Sequence, residues 1–518
     1  MKTPSFVLAA LLAAGCAAAP QQPAQAPGAA SNEPAPPASE PKTAERKAPA
    51  PAKVPDPPSA CAEFVSRAPQ NCAAGDPRDR LAAAISDQNA GSRDTKLVCL
   101  EADSTFSVGL IRTLRADLGP EACADALATP LLESNAKLDP EVEHALRGLI
   151  VAGKLARMAA APPELKAPFD KTQFLDFFAK DLKPWVIGQA LAIEELSVEG
   201  SKLNGYGKAI AAVSAGLADL RFVDLVRSIP LPEEMKKDAE IQSVYYAALD
   251  EALEPRKTRG RDAALVGLRM YAQLGALHDD RVARARALLS KLYSGARVDA
   301  LDGLLLPPLP AAKLDSTARK LAAGLPTYYS LKLLGDLDPS DKDTLRALLE
   351  RGLPPPLRQK LDKAKLTPES AKLYARAMVE SGQRYFRAAD FRRAAEIIGQ
   401  KPADDEARLF AALGRALETG PADVTELMAK GAPATGTGSV ADLEALQKSK
   451  GKMSGLAAFD AAYVLELTPR RDDPKFWEDL GGRYDAAAKL LANPAEKKRA
   501  TDYAGAARAT AKALVPKS

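Results

Sequence analysis

Few residues of this chain are suited to chemistry: five cysteines and two histidines among 518 residues. Cys16 stands apart, directly behind Ala13-Ala14-Gly15. Small side chains ahead of a nucleophilic thiol suit cleavage and modification at that point. The other four, Cys61, Cys72, Cys99 and Cys123, can either pair or hold a metal. No Cys-x-x-Cys and no nearby histidine accompanies them, which sets zinc aside, and no electropositive niche marks a reactive thiol. His144 sits beside Arg147 on the polar side of its helix and His278 at a helix start. Neither has a second ligand four residues away, so both read as surface histidines.

Four further stretches resemble chemical motifs and fall short of them. Ser214 in "AVSAG" has the order of a nucleophile elbow, but that elbow is a strand-to-helix turn and Ser214 lies in helical periodicity. "GAPATGTGSV", residues 431–440, has the glycines of a phosphate loop. Thr437-Gly438 replaces the lysine pair that would grip phosphates, leaving a flexible loop. "DLDPSDKD" lacks the central glycine and final glutamate of a calcium loop and reads as helix capping. "EPRKTRGRD" concentrates Arg256, Lys257, Arg259 and Arg261, read here as a solvated basic turn between two helices. From this set no catalytic residue, metal or cofactor is expected.

The surroundings of Cys16 give it a context. Lys2, the apolar run Phe6-Val7-Leu8-Ala9-Ala10-Leu11-Leu12 and the small residues after it describe a secretory signal peptide. The run is too short to span a bilayer, which needs roughly 20 apolar residues. Ala13-Ala14-Gly15-Cys16 resembles a bacterial lipobox, with Ala13 where leucine is usual. The resemblance implies removal of residues 1–15 and acylation, palmitate included, of Cys16 at its thiol and new amino group. Ala17 in place of Asp is similar to the pattern of Gram-negative lipoproteins exported to the outer membrane. The body is then expected in the periplasm or at the cell surface, where exported cysteines pair. Four cysteines allow three pairings. Cys61–Cys72 and Cys99–Cys123 are favoured, because each pair flanks one short helix-turn segment. Residues 17–58 hold twelve prolines and almost no large apolar side chain. Residues 16–58 are thus expected to form a disordered Pro/Ala-rich tether, reaching roughly 130 Å at full polyproline extension.

What must position everything else is helical. Aromatics are only 5% against 46% hydrophobic residues, so the core leans on Ala and Leu, which favour helices over strands. Asp139 and Pro140 open a helix with Val142, Ala145, Leu146, Leu149, Ala152 and Ala156 at helical spacing. "HDDRVARARALLSKLY" repeats the logic with Val282, Ala285, Leu289 and Leu292 on one face. Ser340 and Asp343 suggest a capping box, with Gly352 past the helix end. Residues 206–229 have a helix-turn-helix flavour. A long succession of such helices, punctuated by Pro or Gly, predicts an all-α, α-solenoid architecture after the tether.

Trp477, Leu480, Gly481 and Tyr484 have the W-x2-L-G-x2-Y spacing that resembles the first helix of a tetratricopeptide (TPR) repeat. Gly382, Tyr385, Asp390, Phe391 and Ala394 repeat it upstream, and Gly414 follows Gly382 by 32 residues. The helix after Trp477 is read as interrupted at Asn493-Pro494. Domain expectations are a Cys-containing helical region at 59–135, a helical array at 138–365 and divergent TPR-like repeats at 368–515. The resemblance implies a non-enzymatic scaffold or adaptor that docks an envelope protein partner, tethered to the membrane by its lipid. A peptidoglycan-acting enzyme of the cell envelope is the alternative. With 71 basic against 67 acidic residues, no polyanion-binding field follows and nucleic acid is not an expected partner.

Overall fold

A computed structural model describes residues 50–134, 136–159, 161–166, 171–231, 233–309, 313–334, 342–430, 439–467 and 472–515. Cys16, Ser340 and residues 431–438 lie outside them. Every regular element among the described residues is a helix; the sole pairing of extended backbone is a bridge between Ala276 and Gly352. The chain opens with α1 (Cys61–Val65), α2 (Pro77–Ile85), α3 (Ala90–Glu101), α4 (Val108–Leu118) and α5 (Ala124–Glu133). Longer helices follow: α6 (Pro140–Arg157), α7 (Lys171–Phe177), α8 (Lys183–Ser201), α9 (Gly205–Arg227), the single turn α10 (Glu233–Lys236) and α11 (Ala239–Leu274). Next come α12 (Asp280–Leu292), α13 (Thr317–Gly324), α14 (Thr327–Leu333), α15 (Lys342–Leu349) and α16 (Pro355–Lys363). The C-terminal part holds α17 (Pro368–Tyr385), α18 (Ala388–Ile398), α19 (Asp405–Leu417) and α20 (Val424–Lys430). It ends with α21 (Ala441–Lys448), α22 (Ser454–Glu466), α23 (Pro474–Leu490) and α24 (Pro494–Leu514).

Asp-Pro and Asn-Pro pairs set several helix starts. The Asp139 carboxylate accepts from the Glu141 and Val142 N–H groups, and Pro140 takes the first helical position, where its missing donor costs nothing. Asn493 and Pro494 do the same for α24. That stretch is therefore the turn of a helical hairpin, not an interruption of one helix.

One apolar core runs from Leu81 through to Ala507, across the expected domain boundaries. At its centre lies α9, buried on most of its circumference and packed on α6, α8, α11 and α12. It is one helix where a helix-turn-helix was anticipated. Its glycines are crossing points instead of turns: a Cβ on Gly207 would lie 1.9 Å from the His144 carbonyl oxygen, and one on Gly216 would meet the Ala264 backbone at 2.5 Å. The expected basic turn is also helix, since α11 continues through Pro255. Arg256 and Arg259 turn inward onto Asp219 of α9, each at 2.7 Å, and this cross-helix anchorage holds α11 together past the proline.

The cysteines pair otherwise than proximity suggested: Cys61–Cys123 and Cys72–Cys99, one loop nested in the other. The reason is the path of the chain after α1. Arg67 donates to the Gly91 carbonyl and to Asp94, both at 2.8 Å, while Arg115 reaches the Phe64 carbonyl at 3.2 Å. These bonds lay the segment across α3 and α4. They bring Cys61 to the turn before α5 and Cys72 to the end of α3. The expected tether also ends early. The Ala52 N–H donates to the Gly188 carbonyl at 2.8 Å, and Arg157 donates to the Pro55 carbonyl at 2.7 Å.

Candidate functional site

The turn between α11 and α12 is fixed by backbone. Gly275 ends α11 at φ 74°, left-handed, and a Cβ there would also strike the Leu353 carbonyl oxygen at 2.0 Å. Leu353 N–H donates to the Gly275 carbonyl at 2.6 Å, and Leu277 N–H to the Arg351 carbonyl at 3.0 Å. The Tyr385 hydroxyl, at the end of α17, donates to the Ala276 carbonyl. His278 follows directly.

The opposite wall is the irregular segment after α12. Arg286 is 2% exposed and donates to both oxygens of Asp302, at 2.9 and 2.8 Å, and to the Val298 carbonyl at 3.1 Å. Gln383 donates to the Leu301 carbonyl at 2.9 Å, and Arg376 to the Pro307 carbonyl. From the other side, Asp460 accepts from the Leu305 N–H at 2.7 Å, Arg499 donates to the Gly303 carbonyl at 3.0 Å, and the Tyr463 hydroxyl donates to the Ala300 carbonyl.

Between these walls is a cleft of about 360 Å³. Leu277, Leu304 and Leu306 give it apolar sides, while His278, Asp302, Glu380, Gln383 and Arg384 supply the polar groups. Glu380 accepts from the Arg376 Nε at 2.7 Å and lies 4.0 Å from the His278 Nε2. Burial lowers the His278 pKa; Glu380 opposes this, and Arg384, Arg351 and Arg376 reinforce it. Burial, and next the Arg286 charge, push Arg384 below its ordinary value. The imidazole and a guanidinium that makes no hydrogen bond or ion pair among the described residues face one cleft and can receive an anion. Beyond the end of α17 a second cleft of about 390 Å³ is lined by Arg269, Arg358 and Arg387, which face Asp423 at 3.2 Å and Asp390 at 3.7 and 3.5 Å.

The residues singled out in the sequence scatter. His144 is half-buried, with its Nδ1 lacking a partner, and is not the surface histidine expected. Gly207 of α9 crosses α6 against the His144 backbone carbonyl. Ser214 is 3% exposed inside α9 and does not line the cleft of His278. Lys257 lies over the Tyr293 ring and Arg261 pairs with Asp262, so the basic run is engaged internally. Arg286 and Arg384 were missed. A signal for Arg286 existed: it falls four residues after Val282 and three before Leu289, on the apolar stripe of its helix.

No family model, curated protein or solved structure matches the chain.

Proposed function

We propose that the chain is a lipid-anchored protein of the bacterial cell envelope whose helical body docks a partner protein as a scaffold or adaptor. The observation that carries this reading is Ala13-Ala14-Gly15-Cys16 behind a short apolar run. Several acyl chains on one cysteine anchor stably where a single chain does not. The proline-rich residues after Cys16 serve as the tether, and residence in the outer membrane follows from Ala17 in this reading.

The body is read as a divergent TPR-like solenoid. Support comes from helical hairpins built around small residues. A Cβ on Gly382 of α17 would meet the Phe391 ring of α18 at 2.6 Å. One on Gly414 of α19 would meet the Phe391 carbonyl oxygen at 2.4 Å, so both glycines pack on α18. Gly481 of α23 faces Ala504 and Arg508 of α24. Stacked hairpins of this kind offer a long surface to a partner, and a tether raises the partner's effective concentration at the membrane.

Fractionation of cells carrying Cys16→Ser tests the anchor. The variant should leave the membrane fraction with its helical circular dichroism unchanged. Retention in the membrane equal to the parent protein overturns the reading. Crosslinking in cells then identifies the partner.

A further inference from the structure

Among the described residues the Asp302 and Glu380 charges reach Arg384 only through space, without a hydrogen bond. Five buried arginines, Arg115, Arg157, Arg256, Arg281 and Arg286, each hold a carboxylate at 2.9 Å or closer, while Arg384 is half-buried. Arg384 has no hydrogen-bond acceptor and no ion-pair partner among the described residues, although it lines the same cleft as Asp302 and Glu380. Those two carboxylates are committed elsewhere, Asp302 to Arg286 and Glu380 to Arg376. Arg351, close enough to act on His278, donates to the Ala323 and Gly324 carbonyls at 2.8 and 3.1 Å and leaves its charge uncancelled. A partly desolvated guanidinium without a partner is costly, and an anion from outside relieves that cost.

We propose that this cleft binds a small carboxylate bearing a short hydrocarbon group, with the carboxylate on Arg384 and the hydrocarbon against Leu277, Leu304 and Leu306. Three features select that chemistry. The planar guanidinium fork matches a carboxylate through two parallel N–H···O bonds. Arg286 and Arg376, just outside the cleft, neutralise Asp302 and Glu380, so the charges of Arg384 and Arg351 remain and favour an anion. Leu306 is partly exposed on the wall, and the core residues Leu277 and Leu304 present an apolar edge beside it. The ligand is either a free acid or the last residue of a peptide. Gln383, whose NH2 is fixed on the Leu301 carbonyl, leaves its amide oxygen for the backbone N–H of a peptide.

The test is calorimetric titration of the full-length chain in detergent. Four probes are used: 4-methylpentanoate, a tetrapeptide Gly-Ala-Ala-Leu with a free carboxylate, its C-terminal amide, and inorganic phosphate. The free-carboxylate probes should bind, and the amide should bind at least about tenfold more weakly, the scale of one charged bidentate contact. Arg384→Gln should weaken the carboxylates by a similar factor, with Arg384→Lys between. Binding of both carboxylates assigns a free acid; binding of the peptide alone assigns a chain terminus. Equal affinity for acid and amide, binding of phosphate alone, indifference to Arg384→Gln, or no binding at all overturns the proposal. The acid–amide comparison uses the unaltered protein, so it stands even if a variant misfolds. The proposal does not depend on Cys16, and Cys16→Ser protein should titrate alike.

Discussion

At the scale of single residues, the interior is distinguished by charges placed where helical periodicity calls for apolar side chains. Asp460 is the clearest. It is fully buried in α22, with one oxygen accepting from Leu305 N–H at 2.7 Å and the other without a partner. Desolvation holds its pKa well above the ordinary carboxylate value, against the opposing Leu305 bond and the Arg499 charge. The folded state thus keeps a proton that the unfolded state has lost. Over the range between the ordinary value near 3.8 and the raised one, stability falls as pH rises. Asp460→Asn removes that dependence. The variant should melt higher than the parent protein at pH 7, with the gap closing toward pH 4. A variant that melts lower at pH 7 would mean the carboxylate is ionised and held by Arg499. Such residues are hard to see in a sequence, because "FDAAYVL" reads as an apolar helix with one incidental acid. The partners that make Asp460, Asp219 and Arg286 tolerable come from remote segments.

At the scale of elements, the sequence was legible where capping chemistry is local. Asp139 was readable as a cap because an aspartate ahead of a helical stripe can satisfy the first-turn N–H groups from its own position. Glycine and proline inside helices were misread, because both usually punctuate turns. In α9 and α11 they serve packing against a neighbour that the sequence does not display. This gives a paired prediction. Gly207→Ala sets a methyl group 1.9 Å from the His144 carbonyl and must push α6 and α9 apart. It should cost about 2 to 3 kcal/mol in urea unfolding, the usual price of overpacking. Gly505→Ala, in an exposed position of α24 with nothing within 4 Å, should instead gain about 1 kcal/mol of helix propensity. A neutral Gly207→Ala would contradict the close crossing.

At the scale of the whole molecule, all-helical character was legible in composition, and the long-range closure was not. Gly324 of α13 packs on Ile85 of α2, and Arg269 of α11 pairs with Asp423 ahead of α20. Residues 297–307 are held by α12, α17, α22 and α24 together. Helical spacing carries no information about which remote helices meet, and the same blindness produced the wrong cysteine pairing. Digestion under non-reducing conditions should yield peptides linked Cys61–Cys123 and Cys72–Cys99; a Cys61–Cys72 peptide would refute this arrangement. Opening the outer bridge, which closes a span of 62 residues, should cost up to about 4 kcal/mol in the loop-entropy picture.

The clasp at residues 52–55 has a mechanical meaning. A pull arriving from the N-terminal side meets the Ala52–Gly188 and Pro55–Arg157 bonds before it meets Cys61. Those bonds tie the chain to α6 and α8, so force enters the body at its long central helices. If they give way, the load passes to Cys61 and crosses directly to Cys123, bypassing α2, α3 and α4. Under such a pull the clasp would give way before the crosslink takes the load, so the Cys61–Cys123 bridge limits how far the chain could be drawn out.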